Sequence, residues 1–334
     1  MTIDTKISGR SVKKSLTFGL LLFLSIIIFV YFFGVGEGVT PLMRAADSGQ
    51  VQRLTELIKK GVDLDEKSMY NWTALIFASS AGNEDAVIIL LDAGANPNIK
   101  SKAIPSSFST TGDYPPTTAL QESIRKKHFN ISNILIDRGV RIDPASVALA
   151  GAIQNIEILE KLERKGVDFN ILSENAFYPF ALAVAANEGH VNIVKWLIKN
   201  GANPNLETSR KTALSVAMYS HNFHKYEVIK YLLKSGADPD FILNKGRHTE
   251  ETVFFRAIQN YVSMGGSNYI EIIKMMLENG ANKDFRQHAG RYTALEYLKN
   301  YEDEESFILR DRSKEVIEQR LKNRAFIVTL LEEY

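Results

Sequence analysis

One short pattern recurs along most of this chain and limits what the chain can fold into. Five copies open with a threonine, a small residue or proline, and a leucine, as in Thr40-Pro41-Leu42 and Thr73-Ala74-Leu75, and three more carry degenerate versions of this opening. The first seven copies close with a glycine, which in the first five lies 19 residues after the third residue of the opening. A threonine hydroxyl caps the free amides of a first helical turn, and a glycine readily takes the left-handed conformation that ends a helix. The pattern therefore predicts a series of similar helical units.

Eight such copies follow residue 37. The other openings are Thr118-Ala119-Leu120, Ala145-Ser146-Val147, Phe180-Ala181-Leu182, Thr212-Ala213-Leu214, Thr252-Val253-Phe254 and Thr293-Ala294-Leu295. The closing glycines are Gly61, Gly94, Gly139, Gly166, Gly201, Gly236 and Gly280. Motifs such as Asn96-Pro97-Asn98 and Asn203-Pro204-Asn205 follow the glycine and are expected to turn the chain into an extended hairpin.

These units resemble the ankyrin repeat family. The resemblance is clearest in TALIFASSAGNEDAVIILLDAGANPN (73–98) and FALAVAANEGHVNIVKWLIKNGANPN (180–205), and the eight copies span 38–334. It implies an all-α ankyrin-repeat solenoid, made of about eight helix-turn-helix repeats with hairpin loops. It also implies a module that binds another protein and has no active site of its own, so we expect no enzyme activity.

Several copies depart from the regular unit. The link from Gly94 to Leu120 is 26 residues long, against 14 from Gly61 to Leu75, so 100–116 is predicted to form a long finger. The hairpin before the fourth copy nearly vanishes, and insertions are expected between the helices of copies six and seven, at 221–225 and 261–268. The eighth copy is predicted to end in a charged helix, 311–333, that caps the stack.

An uncharged apolar segment precedes the repeats. Residues 15–36 carry no charge, and 22 helical residues span about 33 Å, enough to cross a bilayer core of about 30 Å. We therefore expect a cytoplasmic tail (1–14), a transmembrane helix (15–36) and the ankyrin repeat domain (37–334). The run is longer than a usual signal-peptide core, which favours an uncleaved signal anchor, with cleavage near Gly34 or Gly36 as the alternative.

The flanking charges predict the orientation of this segment. Four basic residues lie before it and two in the first twenty residues after it; they are Lys6, Arg10, Lys13 and Lys14, then Arg44 and Arg53. The positive-inside rule then keeps the N-terminus in the cytoplasm. In a Gram-negative bacterium the repeats would face the periplasm from the inner membrane.

Composition excludes several kinds of chemistry. There is no cysteine, and the 40 basic and 39 acidic residues leave a net charge of +1, so we expect no nucleic-acid partner. The closest histidine pair, His221 and His224, lacks a third ligand nearby in sequence and is interpreted as part of a solvated loop. We expect neither a metal site nor a cofactor.

Partner-binding residues are expected at the hairpin tips and on the first helix of each repeat, where the family resemblance places a concave face. Aromatic and arginine side chains dominate interface energies. The candidates are Met69, Tyr70, Trp72, Phe108, Tyr114, Phe177, Tyr178, Arg210, Lys211, Tyr219, Arg247, His248, Arg291 and Tyr292. We expect the tyrosines at 70, 114 and 178 to be exposed, whereas Trp72, Phe177 and Tyr292 have packing between neighbouring hairpins as an equal alternative.

The layout of one N-terminal anchor followed by ankyrin units resembles bacterial immunity proteins that neutralise toxins delivered by type VI secretion, phospholipases among them. The resemblance implies that the repeats cover the active site of a toxin on the periplasmic side. Two alternatives stay open. One is a helper that stabilises or recruits a resident enzyme, as some anchored ankyrin proteins do with catalase, and the other is a scaffold that faces the cytoplasm.

Overall fold

The helices come in consecutive pairs, and in the first seven pairs a short turn joins the two helices. The computed structural model describes residues 38–104, 114–174, 179–208, 211–243, 250–264, 266–287, 292–300 and 314–334. Sixteen helices lie in these ranges and form eight pairs, which confirms the predicted number of repeats. The first three pairs are α1 (Pro41–Asp47) with α2 (Val51–Lys59), α3 (Ala74–Ala81) with α4 (Glu84–Asp92), and α5 (Ala119–Arg125) with α6 (Phe129–Asp137).

The other five pairs follow in the same order. They are α7 (Pro144–Gly151) with α8 (Ile156–Arg164), α9 (Ala181–Asn187) with α10 (Val191–Lys199), α11 (Ala213–Tyr219) with α12 (Lys225–Lys234), α13 (Val253–Met264) with α14 (Ser267–Glu278), and α15 (Ala294–Asn300) with α16 (Lys314–Glu333).

The predicted capping signals are confirmed at both ends of the repeats. The hydroxyls of Thr40, Thr73 and Thr212 each accept a hydrogen bond from the backbone amide three residues later, at 3.1 to 3.4 Å. The seven closing glycines all have φ between +72° and +94°. Side chains other than glycine take this conformation only at a cost, which explains why glycine marks the end of each second helix.

Two details differ from the sequence prediction. The fourth repeat is capped by Asp143, which accepts from the Ser146 amide at 2.8 Å, so α7 begins at Pro144 and not at Ala145. The insertion at 261–268 is not a loop, because it lengthens α13 and α14 to 12 residues each. Residues 311–313, where the final helix was predicted to begin, lie outside the described ranges, and the described part of that helix begins at Lys314.

Short hairpins connect the pairs, as predicted. The strands β1 (Glu207–Thr208) and β2 (Lys211–Thr212) are antiparallel, as are β3 (Ile242–Leu243) and β4 (Glu251–Thr252). Two single antiparallel bridges join Ile104 to Tyr114 and Gln287 to Tyr292. The first of these bridges forms the base of the predicted finger, whose residues 105–113 lie outside the described ranges.

The chain divides into two units, with the boundary between Arg141 and Ile142. In unit 1, α1, α3 and α5 pack side by side, as do α2, α4 and α6. In unit 2, the first helices α7, α9, α11, α13 and α15 form one layer, and α10, α12, α14 and α16 form a second. Each core consists of the aliphatic and aromatic side chains between its two layers, for example Leu54 and Leu90 in unit 1 and Leu197 and Phe255 in unit 2.

A ladder of Asn and Asp side chains links the loops that follow the second helices. Within unit 2, the Asn170 side chain accepts from the Asn203 amide at 2.7 Å, and Asn205 accepts from the Asp238 amide at 2.7 Å. Each of these asparagines also donates its side-chain NH2 to the carbonyl of the next closing glycine, Gly201 at 3.0 Å and Gly236 at 2.8 Å. The Asn-Pro-Asn motif therefore connects adjacent repeats as well as turning the chain.

Replacing Asp240 with asparagine is expected to stabilise unit 2 by about 0.5–1 kcal/mol at pH 7. Asp240 accepts from the Asn282 amide at the ladder position of Asn170 and Asn205, but a carboxylate has no NH2 to donate. Burial raises the pKa of Asp240, because the folded protein holds the charged carboxylate less favourably than water does. Unit 2 therefore loses stability as the pH rises above the ordinary aspartate pKa of about 3.9. Urea unfolding at pH 7 and pH 3 should show the gain only at pH 7, whereas the exposed Asp284→Asn should have little effect. An unchanged midpoint at pH 7 would contradict the prediction.

Within the described ranges, no helix has both the length and the apolarity needed to cross a membrane. The predicted spanning segment, 15–36, and the tail before it lie outside the described residues.

Candidate binding surface

The first hairpin of unit 1 presents one of its predicted contact residues to solvent. A tight turn closes where the Ser68 amide donates to the Trp72 carbonyl at 3.0 Å, with Asn71 in the left-handed region. Met69 at this turn is exposed, whereas Tyr70 and Trp72 are half-buried. The Trp72 ring lies 5.1 Å from Phe77 and 6.3 Å from Tyr114. Packing between neighbouring hairpins is therefore the role that the structure gives Trp72.

Tyr114 lies in a network of polar groups around one buried carboxylate. Glu122, in α5, is fully buried and accepts from the Tyr114 hydroxyl at 2.5 Å and from the Thr117 hydroxyl at 2.6 Å. Arg125 forms an ion pair with Glu122 and donates to the Tyr114 hydroxyl at 2.8 Å. The expectation that Tyr114 and Tyr70 are exposed is wrong, because both are half-buried.

The electrostatics of this network keep the Tyr114 hydroxyl protonated. Burial raises the pKa of Tyr114, the negative charge of Glu122 raises it further, and Arg125 opposes both effects. The guanidinium of Arg125 also lies 4.7 Å from the centre of the Tyr114 ring. Cation–π attraction and the two hydrogen bonds fix Tyr114 at the base of the long finger.

Unit 2 repeats this combination of tyrosine, arginine and glutamate on the side of the first helices. The Arg256 guanidinium lies 5.0 Å above the Tyr219 ring and forms an ion pair with the buried Glu251. Burial raises the pKa of Tyr219, and Arg256 opposes the shift. Tyr219 is nevertheless 48% exposed, so its ring offers a rigid aromatic surface to a partner.

The other described candidates of unit 2 lie on its hairpins. Lys211 is exposed on β2, and Tyr292 is exposed on the bridge with Gln287. The remaining seven candidates lie outside the described residues: Phe108, Phe177, Tyr178, Arg210, Arg247, His248 and Arg291.

Sequence reasoning missed several exposed apolar side chains of unit 2, among them three in or near its loops and turns. Leu172 lies in the loop before α9, where the Ser173 amide donates to the Pro179 carbonyl at 2.8 Å. Phe223 and Met264 lie near the turns between the two helices of repeats six and seven, and they are 96% and 60% exposed. The insertion at 221–225 signalled an unusual turn, but the direction of its side chains could not be read from the sequence. Both histidines of that turn are exposed, as predicted.

No group of three or more histidine, aspartate or glutamate side chains in the described ranges is placed to hold a metal ion. The candidates that the structure shows exposed on hairpins and first helices are Met69, Lys211, Tyr219 and Tyr292, which supply contact area and one positive charge.

Comparison with known proteins identifies the repeat. The family model for ankyrin repeats matches residues 20–101 and 146–242, together more than half of the chain. The chain belongs to the ankyrin repeat family. Repeats of this family form protein-interaction modules, so the hairpins and first helices described above belong to a binding scaffold.

Two curated relatives show how much of the chain is similar to other proteins. The potassium channel AKT2/3 of Arabidopsis thaliana is 31% identical over 166 residues, which is 48% of this chain and 19% of the channel. The ankyrin repeat and SAM domain-containing protein 6 of Rattus norvegicus is 40% identical over 68 residues, 20% of this chain and 8% of that protein. This chain therefore matches less than a fifth of the length of either relative.

A solved complex of a predatory endopeptidase from Bdellovibrio bacteriovorus with an immunity protein contains a chain of partly similar structure. The match has a TM-score of 0.48 and 23% identity, and covers 57% of this chain and 97% of the other. A similarity of this extent says nothing about what the ankyrin chain binds.

Proposed function

We propose that this ankyrin protein is a membrane-anchored immunity protein that binds a toxin enzyme on the periplasmic side and covers its active site. It would act as a non-enzymatic inhibitor, by occlusion. The hairpins and first helices would form the contact surface, and the apolar segment 15–36 would hold the repeats at the inner membrane.

The observation that carries this proposal is the exposure of rigidly held aromatic groups on the expected binding side. Tyr219 is stacked against Arg256, whose guanidinium is in turn paired with buried Glu251. A large ring that is already fixed loses little conformational entropy on binding, which is the property of an interface hot spot. Lys211, on the hairpin before α11, and Tyr292, on the hairpin before α15, add further exposed side chains of unit 2.

The position of the apolar segment supports a role at the lipid surface. Only Glu37, Gly38 and Val39 separate residue 36 from Thr40, which caps the first helix. A linker of this length reaches about 10 Å at most, so the first repeat would lie close to the bilayer. An inhibitor held there would meet an enzyme that attacks lipids or the cell envelope.

The proposal is tested with the full chain in its membrane and the enzyme encoded by the neighbouring reading frame. Cells that lack the ankyrin protein should be killed by sister cells that deliver this enzyme, and the purified full chain in detergent should inhibit the enzyme stoichiometrically. Protease added to cells with a permeabilised outer membrane should digest the repeats. Sensitivity to oxidative stress alone would favour the enzyme helper, and protected repeats would favour the cytoplasmic scaffold. Either result would contradict the proposal.

Tyr219→Ala is expected to weaken binding of the enzyme by about 30-fold, the effect of losing one hot-spot side chain. Titration of enzyme inhibition with the wild-type and variant full chains measures this change. Tyr334→Ala is the matched control, since Tyr334 is similarly exposed (53%) but lies at the end of α16. Equal inhibition by all three chains would exclude Tyr219 from the contact surface.

A further inference from the structure

The turn between α11 and α12 is longer than the corresponding turns of the first five repeats. It comprises residues 220–224, five residues, whereas the turn between α3 and α4 has two and the turn between α9 and α10 has three. The additional residues place Phe223 at the tip with 96% of its surface exposed. We call this segment the Phe223 turn.

Hydrogen bonds to the preceding repeat hold the Phe223 turn in place. The Ser220 hydroxyl donates to the Asn187 carbonyl at 2.6 Å, and the Asn222 side chain donates to the Glu188 carbonyl at 2.7 Å. The Asn222 side chain also accepts from the His224 amide at 2.9 Å, directly beyond the tip. Both sides of Phe223 are therefore fixed to the scaffold.

The fit of Asn222 depends on a glycine in the neighbouring repeat. Gly189 has a φ of +70°, and a Cβ built on it would lie 2.3 Å from the Asn222 side-chain oxygen. Because Gly189 has no side chain, Asn222 can occupy the space beside it. The conformation of the Phe223 turn therefore depends on residues of both repeats.

A buried cation anchors the other end of the turn. Lys225 is only 8% exposed, and its ammonium lies 5.4 Å from the Tyr226 ring and 5.8 Å from the Tyr269 ring. Tyr226 and Tyr269 pack edge to face, with ring centres 5.3 Å apart. These contacts fix the start of α12, so the Phe223 backbone is rigid although its ring touches solvent.

A rigid, protruding aromatic ring fits an apolar pocket of a folded partner. Exposing a phenylalanine costs free energy that only burial against another surface recovers, and a fixed backbone lowers the entropy lost on binding. Met264, near the equivalent turn of the next repeat, adds a second exposed apolar side chain at the same end of the helices.

The surrounding charges argue against a lipid surface as the occupant. Exposed Glu188 is itself the residue whose carbonyl accepts from Asn222, and exposed Glu227 follows the turn in α12. The nearby Lys195 ammonium lies over the Tyr231 ring. Anionic membranes bind clusters of lysine and arginine, which this site does not have among its described residues. A protein pocket with a cationic rim would complement the two carboxylates.

We propose that Phe223 is a second anchor for the partner, inserted into an apolar pocket with a cationic rim on that protein. The inference rests on the proposed function in one respect: the partner is the same enzyme that the hairpins and first helices contact. Asn222 is a positioning residue for this anchor, because it holds the turn without reaching the partner.

Photo-crosslinking in intact membranes tests the contact. The full chain carries p-benzoylphenylalanine at position 223, or at position 219 as the reference for the proposed function, and the crosslinked protein is identified by mass spectrometry. The expected result is the same enzyme at both positions. A crosslink at 219 but not at 223 would overturn this inference and leave the proposed function intact. A crosslink from position 223 to lipid alone would also overturn this inference. The absence of a crosslink at both positions would count against both proposals.

Binding measurements with purified full chains complete the test. Phe223→Ala is expected to weaken inhibition of the enzyme by about 30-fold and to leave the unfolding midpoint unchanged, because the ring makes almost no contact within the chain. His221→Ala, exposed in the same turn, is the matched control and should change neither quantity. Asn222→Ala should weaken inhibition although Phe223 is present. Unchanged inhibition by Phe223→Ala would overturn the anchor.

Discussion

Replacing Glu122 with alanine is expected to lower the free energy of unfolding of unit 1 by about 3 kcal/mol. The carboxylate is fully buried and receives the Tyr114 and Thr117 hydroxyls and the Arg125 guanidinium. The Ser80 hydroxyl also donates to it at 3.5 Å, so removing the carboxylate takes the acceptor from four donors in a largely dehydrated site. The cost lies at the lower end of the range for broken buried ion pairs, because the Arg125 side chain is 18% exposed and can be partly rehydrated.

The two tryptophans allow this change to be measured in the intact protein. Trp72 lies beside Tyr114 in unit 1, so a Trp196→Phe background makes Trp72 fluorescence the reporter of unit 1 during urea unfolding. The free energy of unfolding should fall less for Glu122→Gln than for Glu122→Ala, since the glutamine side-chain carbonyl can still accept from one hydroxyl. Glu66→Ala removes an exposed carboxylate of the same unit and serves as the control. A loss below 1 kcal/mol for Glu122→Ala would show that the network does not stabilise the hairpin base.

The repeat architecture could be predicted because its signals are local. A cap such as Thr73 bonds to an amide three residues away, and a closing glycine such as Gly94 needs only its own left-handed backbone. Both determinants lie within one turn of helix, where sequence and structure correspond directly. The number of helix pairs, the paired hairpins and the unusual turn at 221–225 followed from such signals.

Contacts between repeats were beyond sequence reasoning. The bond from Asn203 to Asn170 joins residues 33 positions apart, and only the stacking of two complete repeats brings them together. Tyr114 was expected to be exposed as a hairpin-tip residue, yet Glu122 and Arg125 in the following helix bind it. The lengthening of α13 depends in the same way on packing, as Tyr261 and Val262 are buried.

The candidate binding surface likewise contains residues that the sequence predicted and residues that it did not. Sequence position identified the exposed Met69, Tyr219 and Tyr292, because hairpin tips and helix ends are fixed by the repeat register. It did not identify Phe223, whose exposure results from hydrogen bonds between Asn222 and the neighbouring repeat. An aromatic residue inside an insertion is a usable signal for such anchors.

The second large loss of stability is expected from a substitution at the point where α7 and α9 approach most closely. Gly151 lies at the end of α7, and a Cβ built on it would be 2.2 Å from the Ala181 carbonyl oxygen and 2.9 Å from the carbonyl carbon. Backbone atoms cannot rotate away as a side chain can, so the two helices would have to separate. The same register holds Ala46 in the first repeat and Ala186 in the fifth, so only this copy requires the smallest residue.

Gly151→Ala is therefore expected to destabilise unit 2 by about 2 kcal/mol, the balance of an overpacking cost of up to about 3 kcal/mol and a helix-propensity gain of about 1 kcal/mol. Propensity alone predicts a change of opposite sign, so the direction of the shift decides between the two effects. Trp196 fluorescence in a Trp72→Phe background follows unit 2 during urea unfolding, since the Trp196 ring lies 5.3 Å from Phe169. Ala145→Gly, in the first turn of the same helix, mainly changes helix propensity and should lower the free energy of unfolding by about 1 kcal/mol. A variant Gly151→Ala more stable than wild type would show that α7 and α9 can move apart at little cost, and that close packing does not determine the residue at this position.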